Sequence, residues 1–320
     1  MQLERSEIFR VMPGKAFIIV VIFFSSAGCV ELAERAAVTI FYREAALPPE
    51  QVHKNLVYWS DPPAATPKHR LDLFVPRAER WPVLVFVHGG RWRSGDKELM
   101  FGGADPYGNI GRFYAARGIG VAVINYRLQP AVTWRDQVLD VARAMAWIHE
   151  HADDYGVDNR SVFLFGHSSG AHLAARAALD GDLLRRVGLH ARIPCGVIAA
   201  SGAPYDIADE KTYELGTNPA IFERPFRAAD LNDRWKYNAS PLNFVTPSAP
   251  PFLLLHGAWE ASGLKRQNQI MYSALQVAGV PSRLVETTWD GHFIMIASLS
   301  RPNSEASTEV LEFIRATKCG

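Results

Sequence analysis

Four runs of this chain are apolar at every position: VLVFV (83–87), VAVI (121–124), VFLF (162–165) and FLLL (252–255). A strand with one wetted face alternates apolar and polar side chains, so a run without alternation is a strand buried on both faces. "CGVIAASG" (195–202) and "PSRLVETTW" (281–289) read as further strands, and "LVYWSD" (56–61) with "HRLDLFVP" (69–76) as an early strand pair. Helical patterns alternate with these runs. Val138, Val141, Ala142, Met145, Trp147 and Ile148 fall on one face of a helix over 132–151. Others are expected around Arg112–Arg117, stopped by Gly118, over 169–179, over 264–279 with Gly279 at its stop, and over 307–318. Strand and helix in alternation predict an α/β domain: a mostly parallel central sheet with helices on both faces. The pattern sets its limits at 55–320, with residues 204–250, mixed in Pro, Asn, aromatic and charged residues, as a small cap-like insertion over the sheet edge, and 30–54 as a helical extension.

Three strands end in glycine and histidine: "FVHGGRW", "FLFGHSSG" and "LLLHGAWE". Parallel strands bring their carboxyl ends to one edge, where open α/β sheets hold their sites. Gly166-x-Ser168-x-Gly170, between a buried strand and an Ala-rich helix, has the form of a nucleophile elbow. Its glycines let strand and helix approach, and the helix start aims free N–H groups at the serine. A serine hydroxyl needs a base, and that base a carboxylate to hold its tautomer. His292, in "TTWDGHFIM" after the last expected strand, is the candidate base, and Glu260, in "LLLHGAWEASG", the candidate acid, with Asp290 and Asp206 as rivals. His256 reads as structural, His167 adjoins Ser168 too closely in sequence to serve as its base, and His172 lies on the following helix. The N–H groups of Gly90, Arg91 and Ser169 are candidate donors to an oxyanion, with His88, Gly89 and Trp92 supporting their loop. No metal-ligand cluster or phosphate-binding glycine loop is present, so neither metal nor organic cofactor is expected.

Lys and Arg number 34 and Asp and Glu 33, a formal charge of +1, which leaves no electrostatic footprint for nucleic acid. The expected partner is a small molecule. After Lys15 comes "AFIIVVIFFSSAGC" (16–29), an apolar run of secretory length with a small-residue exit, shorter than a membrane span. Residues 1–29 therefore read as a signal peptide or membrane anchor, and the chain as exported or membrane-associated. Ser26-Ala27-Gly28-Cys29 resembles a lipoprotein processing site with Cys29 as the lipidated residue, departing from it at Ser26. Cys195 begins an apolar run and reads most simply as a buried thiol; a Cys195–Cys319 disulfide is the alternative in an oxidising compartment.

His88-Gly89-Gly90-Arg91-Trp92, "GHSSGAH" (166–172), "INYRL" (124–128), "SGAPYDI" (201–207) and the His256-to-Glu260 stretch together resemble the α/β-hydrolase superfamily, in the branch holding kynurenine formamidase (arylformamidase), isoprenylcysteine methylesterases and bacterial carboxylesterases. The resemblance covers about residues 55–315. It implies a serine hydrolase with Ser168 as nucleophile, His292 as base and Glu260 as acid, where the family usually carries Asp. A carboxylesterase acting on small to medium esters through an acyl-enzyme is the leading expectation; an arylformamidase and a non-catalytic hydrolase-fold binding protein are the alternatives.

Overall fold

The computed structural model describes residues 38–60, 66–190, 193–227 and 234–319. The expectations for residues 1–29, Cys29 among them, lie outside the described residues. Eight strands form one sheet: β1 (Val52–Val57), β2 (Arg70–Phe74), β3 (Trp81–Val87), β4 (Gly120–Ile124), β5 (Val157–His167), β6 (Gly196–Ala200), β7 (Phe252–Gly257) and β8 (Ser282–Thr287), in the order β1-β2-β4-β3-β5-β6-β7-β8. β2 runs antiparallel to β1 and β4; β4, β3, β5, β6, β7 and β8 are parallel. The longer helices are α1 (Pro106–Ala115), α2 (Trp134–Glu150), α3 (Ser169–Ala178), α4 (Ser262–Val277) and α5 (Glu305–Ala316).

The unbroken apolar runs are explained by two separate cores. Val83, Val85, Leu164, Val197 and Leu254 face α2, α3 and α4, packing with Val141, Met145, Leu173 and Met271. Their neighbours Leu84, Phe86, Phe165, Ile198 and Leu253 face the other way, onto Ile110 and Phe113 of α1 and Val310 and Ile314 of α5. Each central strand thus removes apolar surface from water on both sides, about 25 cal/mol for every Å².

Local chemistry sets the helix starts. Thr133 and Asp136 make a reciprocal capping box at α2, Asp136 Oδ2 accepting from the Thr133 N–H at 2.9 Å. Helix α1 begins at Pro106, six residues ahead of the expected Arg112, because Asp105 caps it (Oδ1 accepts from the Gly108 N–H at 2.9 Å) and proline suits the first helical position.

Three expectations are corrected. The first strand spans 52–57 and not 56–61: its pairing with β2 ends at the Tyr58 N–H, which donates to the His69 carbonyl at 3.1 Å, and the buried Tyr58 hydroxyl donates to the Asn125 carbonyl at 2.7 Å. Of the helical extension over 30–54, the described part holds one helical turn at 38–41. The chain then runs extended along α1, where Asn109 bonds the Arg43 carbonyl and the Ala45 N–H, and Pro48-Pro49 bars a longer helix. Cys195 is not a free thiol: it forms a disulfide with Cys319, 124 positions away, because α5 returns the C-terminus to the start of β6. The described residues of 204–250 form short helices at Glu210–Glu214, Ala220–Arg227 and Trp235–Ala239. Phe222 and Phe226 of this excursion pack edge-on against Trp92, over the carboxyl end of the sheet.

Closing so long a loop removes much unfolded-state entropy. Cys319→Ser should lower the unfolding free energy by about 5 kcal/mol in the chain-entropy model. Urea midpoints of the two forms, measured without reductant, check this; matching midpoints would contradict it.

Candidate active site

Ser168 sits between the last residue of β5 and the first of α3 with φ 56° and ψ −125°, a conformation that a side-chain-bearing residue rarely adopts. The turn is that sharp because α3 starts against β3. A Cβ on Gly170 would stand 2.1 Å from the Val87 carbonyl oxygen, and one on Gly166 2.4 Å from the Gly170 carbonyl oxygen. Only hydrogen fits at either place. The Ser168 N–H donates to the Ala200 carbonyl at 2.9 Å, tying the elbow to β6 as well. The hydroxyl is thereby raised clear of the sheet edge, and the Ser169 N–H, first in α3, has no intrahelical acceptor.

The His292 loop follows β8 and brings Nε2 to 2.9 Å from Ser168 Oγ. On the far side of the ring, His292 Nδ1 lies 3.6 Å from Glu260 Oε1, an ion-pair distance longer than a hydrogen bond. The Glu260 carboxylate is fully buried, and neither oxygen has a hydrogen-bond partner among the described residues. The rivals are engaged elsewhere. Asp290 accepts from the Ser298 hydroxyl at 2.5 Å, and burial pushes its carboxyl above the usual range. Asp206 accepts from the Ala208 N–H at 2.8 Å. Ser168, His292 and Glu260, predicted from three distant segments, therefore meet at one edge. His256, expected to bond its own loop, is buried with Nδ1 3.6 Å from Glu286 Oε2.

The His88–Trp92 loop borders the same space. Gly90, Arg91 and Trp92 have φ of 129°, 53° and 62°, three consecutive left-handed residues of which two carry side chains. Trp92 holds that strain in place. It is buried, its indole N–H donates to His172 Nδ1 at 3.3 Å, and its carbonyl accepts from Gln137 Nε2 at 2.7 Å. His88 stacks on Tyr126 with ring centroids 4.3 Å apart, and Tyr126 donates to the His88 carbonyl at 2.9 Å. A Cβ on Gly89 would approach Ser168 Cβ to 3.1 Å, so the loop lies directly against the nucleophile candidate. A cavity of about 270 Å³ opens above Ser168 and His292; its lining includes Gly89, Gly90 and Arg91 and the apolar Leu99, Phe101, Phe293 and Ile296.

Sequence reasoning set aside His167, and the structure gives it a part. Its Nε2 donates to the backbone carbonyl of His292 at 2.9 Å, which props the His292 loop. Tyr107, not singled out at all, lines the cavity and lies 3.4 Å from the Gly89 N–H through its hydroxyl. Nothing local marks either residue; both act through partners far away in the chain.

These features define a class: an α/β-hydrolase fold carrying an elbow serine hydrogen-bonded to a histidine. The chain belongs to the BD-FAE family, whose model matches residues 71–275. It is 33% identical over 218 residues to esterase LipC of Mycobacterium tuberculosis, covering 65% of this chain and 51% of that protein. Esterase LipQ of the same organism is 30% identical over 250 residues, 75% of this chain and 57% of the relative. Isoprenylcysteine alpha-carbonyl methylesterase ICME of Arabidopsis thaliana is 28% identical over 249 residues, with 74% and 55% covered. The chain thus spans about half the length of the curated relatives it matches. Among solved structures, esterase B from Lactobacillus rhamnosis superposes with a TM-score of 0.66 at 21% identity, covering 91% of this chain and 93% of that one. The hyperthermophilic esterase of Pyrobaculum calidifontis has a TM-score of 0.66 at 20% identity, with 92% and 93% covered.

Burial pushes three histidines around the site well down: His88 to about 4, His167 to about 3, with the His292 ring beside it adding to the effect, and His172 to about 4. For His172 the bonds agree. Trp92 can only donate, so Nδ1 accepts, Nε2 carries the proton and donates to the Ala239 carbonyl at 2.8 Å, and the ring is neutral. The folded values lie below the unfolded value near 6.5. Above that pH both states are neutral and these groups add no slope; between about pH 6.5 and 4 the unfolded chain takes up protons that the folded chain refuses. Stability should therefore fall as pH drops through this window, by up to about 1.4 kcal/mol per pH unit for each histidine. Urea midpoints at pH 7 and pH 5 test the sign. His172→Gln, which keeps a donor and an acceptor but cannot titrate, should flatten the slope; an unchanged slope would contradict the assignment.

Proposed function

We propose that the protein is a serine carboxylesterase acting on small to medium carboxylic esters. The 2.9 Å contact of His292 Nε2 with Ser168 Oγ, beneath a cavity of about 270 Å³, carries this reading. The esterase names among the relatives support it. Ser168 Oγ attacks the ester carbonyl carbon as His292 takes the hydroxyl proton. The carbonyl oxygen becomes an oxyanion facing the N–H groups of Gly90, Arg91 and Ser169, and collapse breaks the bond to the alcohol, which leaves with the proton from His292. Water then attacks the acyl-enzyme, gives a proton to His292, and releases the acid as Ser168 recovers that proton. Glu260 faces the imidazolium that forms in each half; the 3.6 Å spacing tightens as charge appears, as catalytic contacts often do on binding. The wall of Leu99, Phe101, Phe293 and Ile296 suits an apolar acyl chain.

With p-nitrophenyl acetate, the wild type should release a burst of p-nitrophenol that Ser168→Ala abolishes. Glu260→Gln should cut kcat by about 10⁴-fold, in the range of acid replacements in such triads. Asp290→Asn should cost far less. Retained turnover in Ser168→Ala would overturn the mechanism, and a larger loss for Asp290→Asn would reassign the acid. Hydrolysis of N-formylkynurenine in preference to the ester would favour the formamidase alternative.

We propose further that the chain is exported and held at a membrane by its N-terminal segment. Among the described residues no helix is long and apolar enough to cross a membrane. The apolar run 16–28 and the Cys195–Cys319 disulfide, a bond favoured by oxidising compartments, support the reading. Fractionation with alkylation before lysis should recover the protein with membranes and with Cys195 and Cys319 unalkylated. A soluble cytosolic protein with two free thiols would contradict it.

A further inference from the structure

We infer that the mouth of the catalytic cavity rests on a bilayer of anionic lipid, with Ile40 and Met100 seated among the lipids, so that amphiphilic esters reach Ser168 from the membrane. The contact stands on the surface itself; the delivery of substrate rests on the esterase reading above.

Two described segments build that mouth. Leu99 and Phe101 line the cavity, while Met100 between them points outward and is 56% exposed. The tight turn that follows, closed by paired bonds between Phe101 and Ala104, places Gly102 against Thr39. Ile40, next to Thr39, is 64% exposed. Two large apolar side chains thus stand in water on adjoining segments at the rim of the cavity. An isolated exposed leucine needs no explanation, but a pair of this kind beside a binding cleft marks a contact surface.

The sign of the charges around them selects the partner. Arg43 lies beside Ile40, its guanidinium donating to the carbonyls of Ile40 at 3.1 Å and Tyr42 at 2.7 Å. Arg301 stacks over the Phe41 ring at 5.4 Å, and Arg91, which lines the cavity, and Arg93 stand exposed. The acids of the same segments are exposed but each is matched by a cation: Glu44 lies 3.4 Å from Arg112, and Glu98 3.0 Å from the buried Lys97. An apolar tip ringed by guanidiniums fits the interface of an anionic bilayer, where apolar side chains enter the acyl boundary and cations meet headgroups.

The position of the preceding chain selects the same partner. The description begins at Val38, one helical turn that carries Ile40, and the apolar run 16–28 lies only nine residues upstream of it. Nine residues span at most about 32 Å, so a membrane that held this run would lie within about that distance of the turn that carries Ile40.

The test uses the full chain with Cys29→Ser and a single Met100→Cys substitution carrying a nitrobenzoxadiazole label. It is mixed with vesicles of phosphatidylcholine and phosphatidylglycerol that contain a doxyl-lipid quencher. Val277, 90% exposed at the far end of α4, labelled as Val277→Cys, is the control. The label at position 100 should shift to the blue and be quenched, the label at 277 should not, and vesicles of phosphatidylcholine alone should bind more weakly. Equal behaviour of the two labels, or no binding, would overturn the proposal. In the otherwise native chain, Ile40→Asp with Met100→Asp should lower hydrolysis of p-nitrophenyl decanoate held in the vesicles about tenfold, while leaving p-nitrophenyl acetate in solution unchanged. Equal loss on both substrates, or on neither, would overturn the delivery. If the wild type cleaves neither ester, the esterase reading fails and the quenching still decides the membrane contact.

Discussion

Helix α3 begins where no side chain fits. With Gly170 against the Val87 carbonyl and Gly166 against Gly170, the chain must reverse from strand to helix within one residue, and that residue is Ser168. Its unfavourable backbone conformation, of the kind that costs about 1–3 kcal/mol, persists because the two buried cores on either face of β3, β5 and β6 hold the flanking elements in contact. Hydroxyl, helix start and the His88–Trp92 loop are consequently fixed together. Relaxing the turn would withdraw all three from the cavity.

A second layer keeps that arrangement rigid without adding charge. Trp92, His172 and the Ala239 carbonyl form a chain of hydrogen bonds from the glycine loop through α3 to the excursion over the sheet. Phe226 closes onto both rings, with centroids 4.8 Å from Trp92 and 4.9 Å from His172. Deeper in, a buried ion cluster sets the loop after β4: Asp140 takes bonds from His69 and from the Arg127 guanidinium and N–H. Burial alone would raise that carboxyl, but the donors bring it below the usual range. Burial keeps His88, His167 and His172 neutral around the site.

The choice among carboxylates shows how burial and partners divide labour. Asp290 is only two residues from His292, yet its oxygen is taken by Ser298 and its carbonyl by the Trp259 N–H. It braces the loop. Glu260, with no hydrogen-bond partner of its own among the described residues, is the carboxylate left to face the imidazole. Proximity in sequence was a poor guide because the loop between β8 and His292 turns Asp290 away from the ring.

The order and type of the main elements, the two-sided burial of the sheet and the Gly-His-Ser-Ser-Gly turn were legible from sequence alone. Apolar periodicity, caps and glycine are properties of a few adjacent residues, and they specify local conformation wherever they stand. The disulfide between Cys195 and Cys319, the prop that His167 supplies to His292 and the edge strand at 52–57 were decided only in the tertiary structure. Each of the first two joins residues more than a hundred positions apart. Such pairs depend on where whole strands and helices come to rest, and that is set by the packing of both cores and not by any pattern a short stretch of chain can carry.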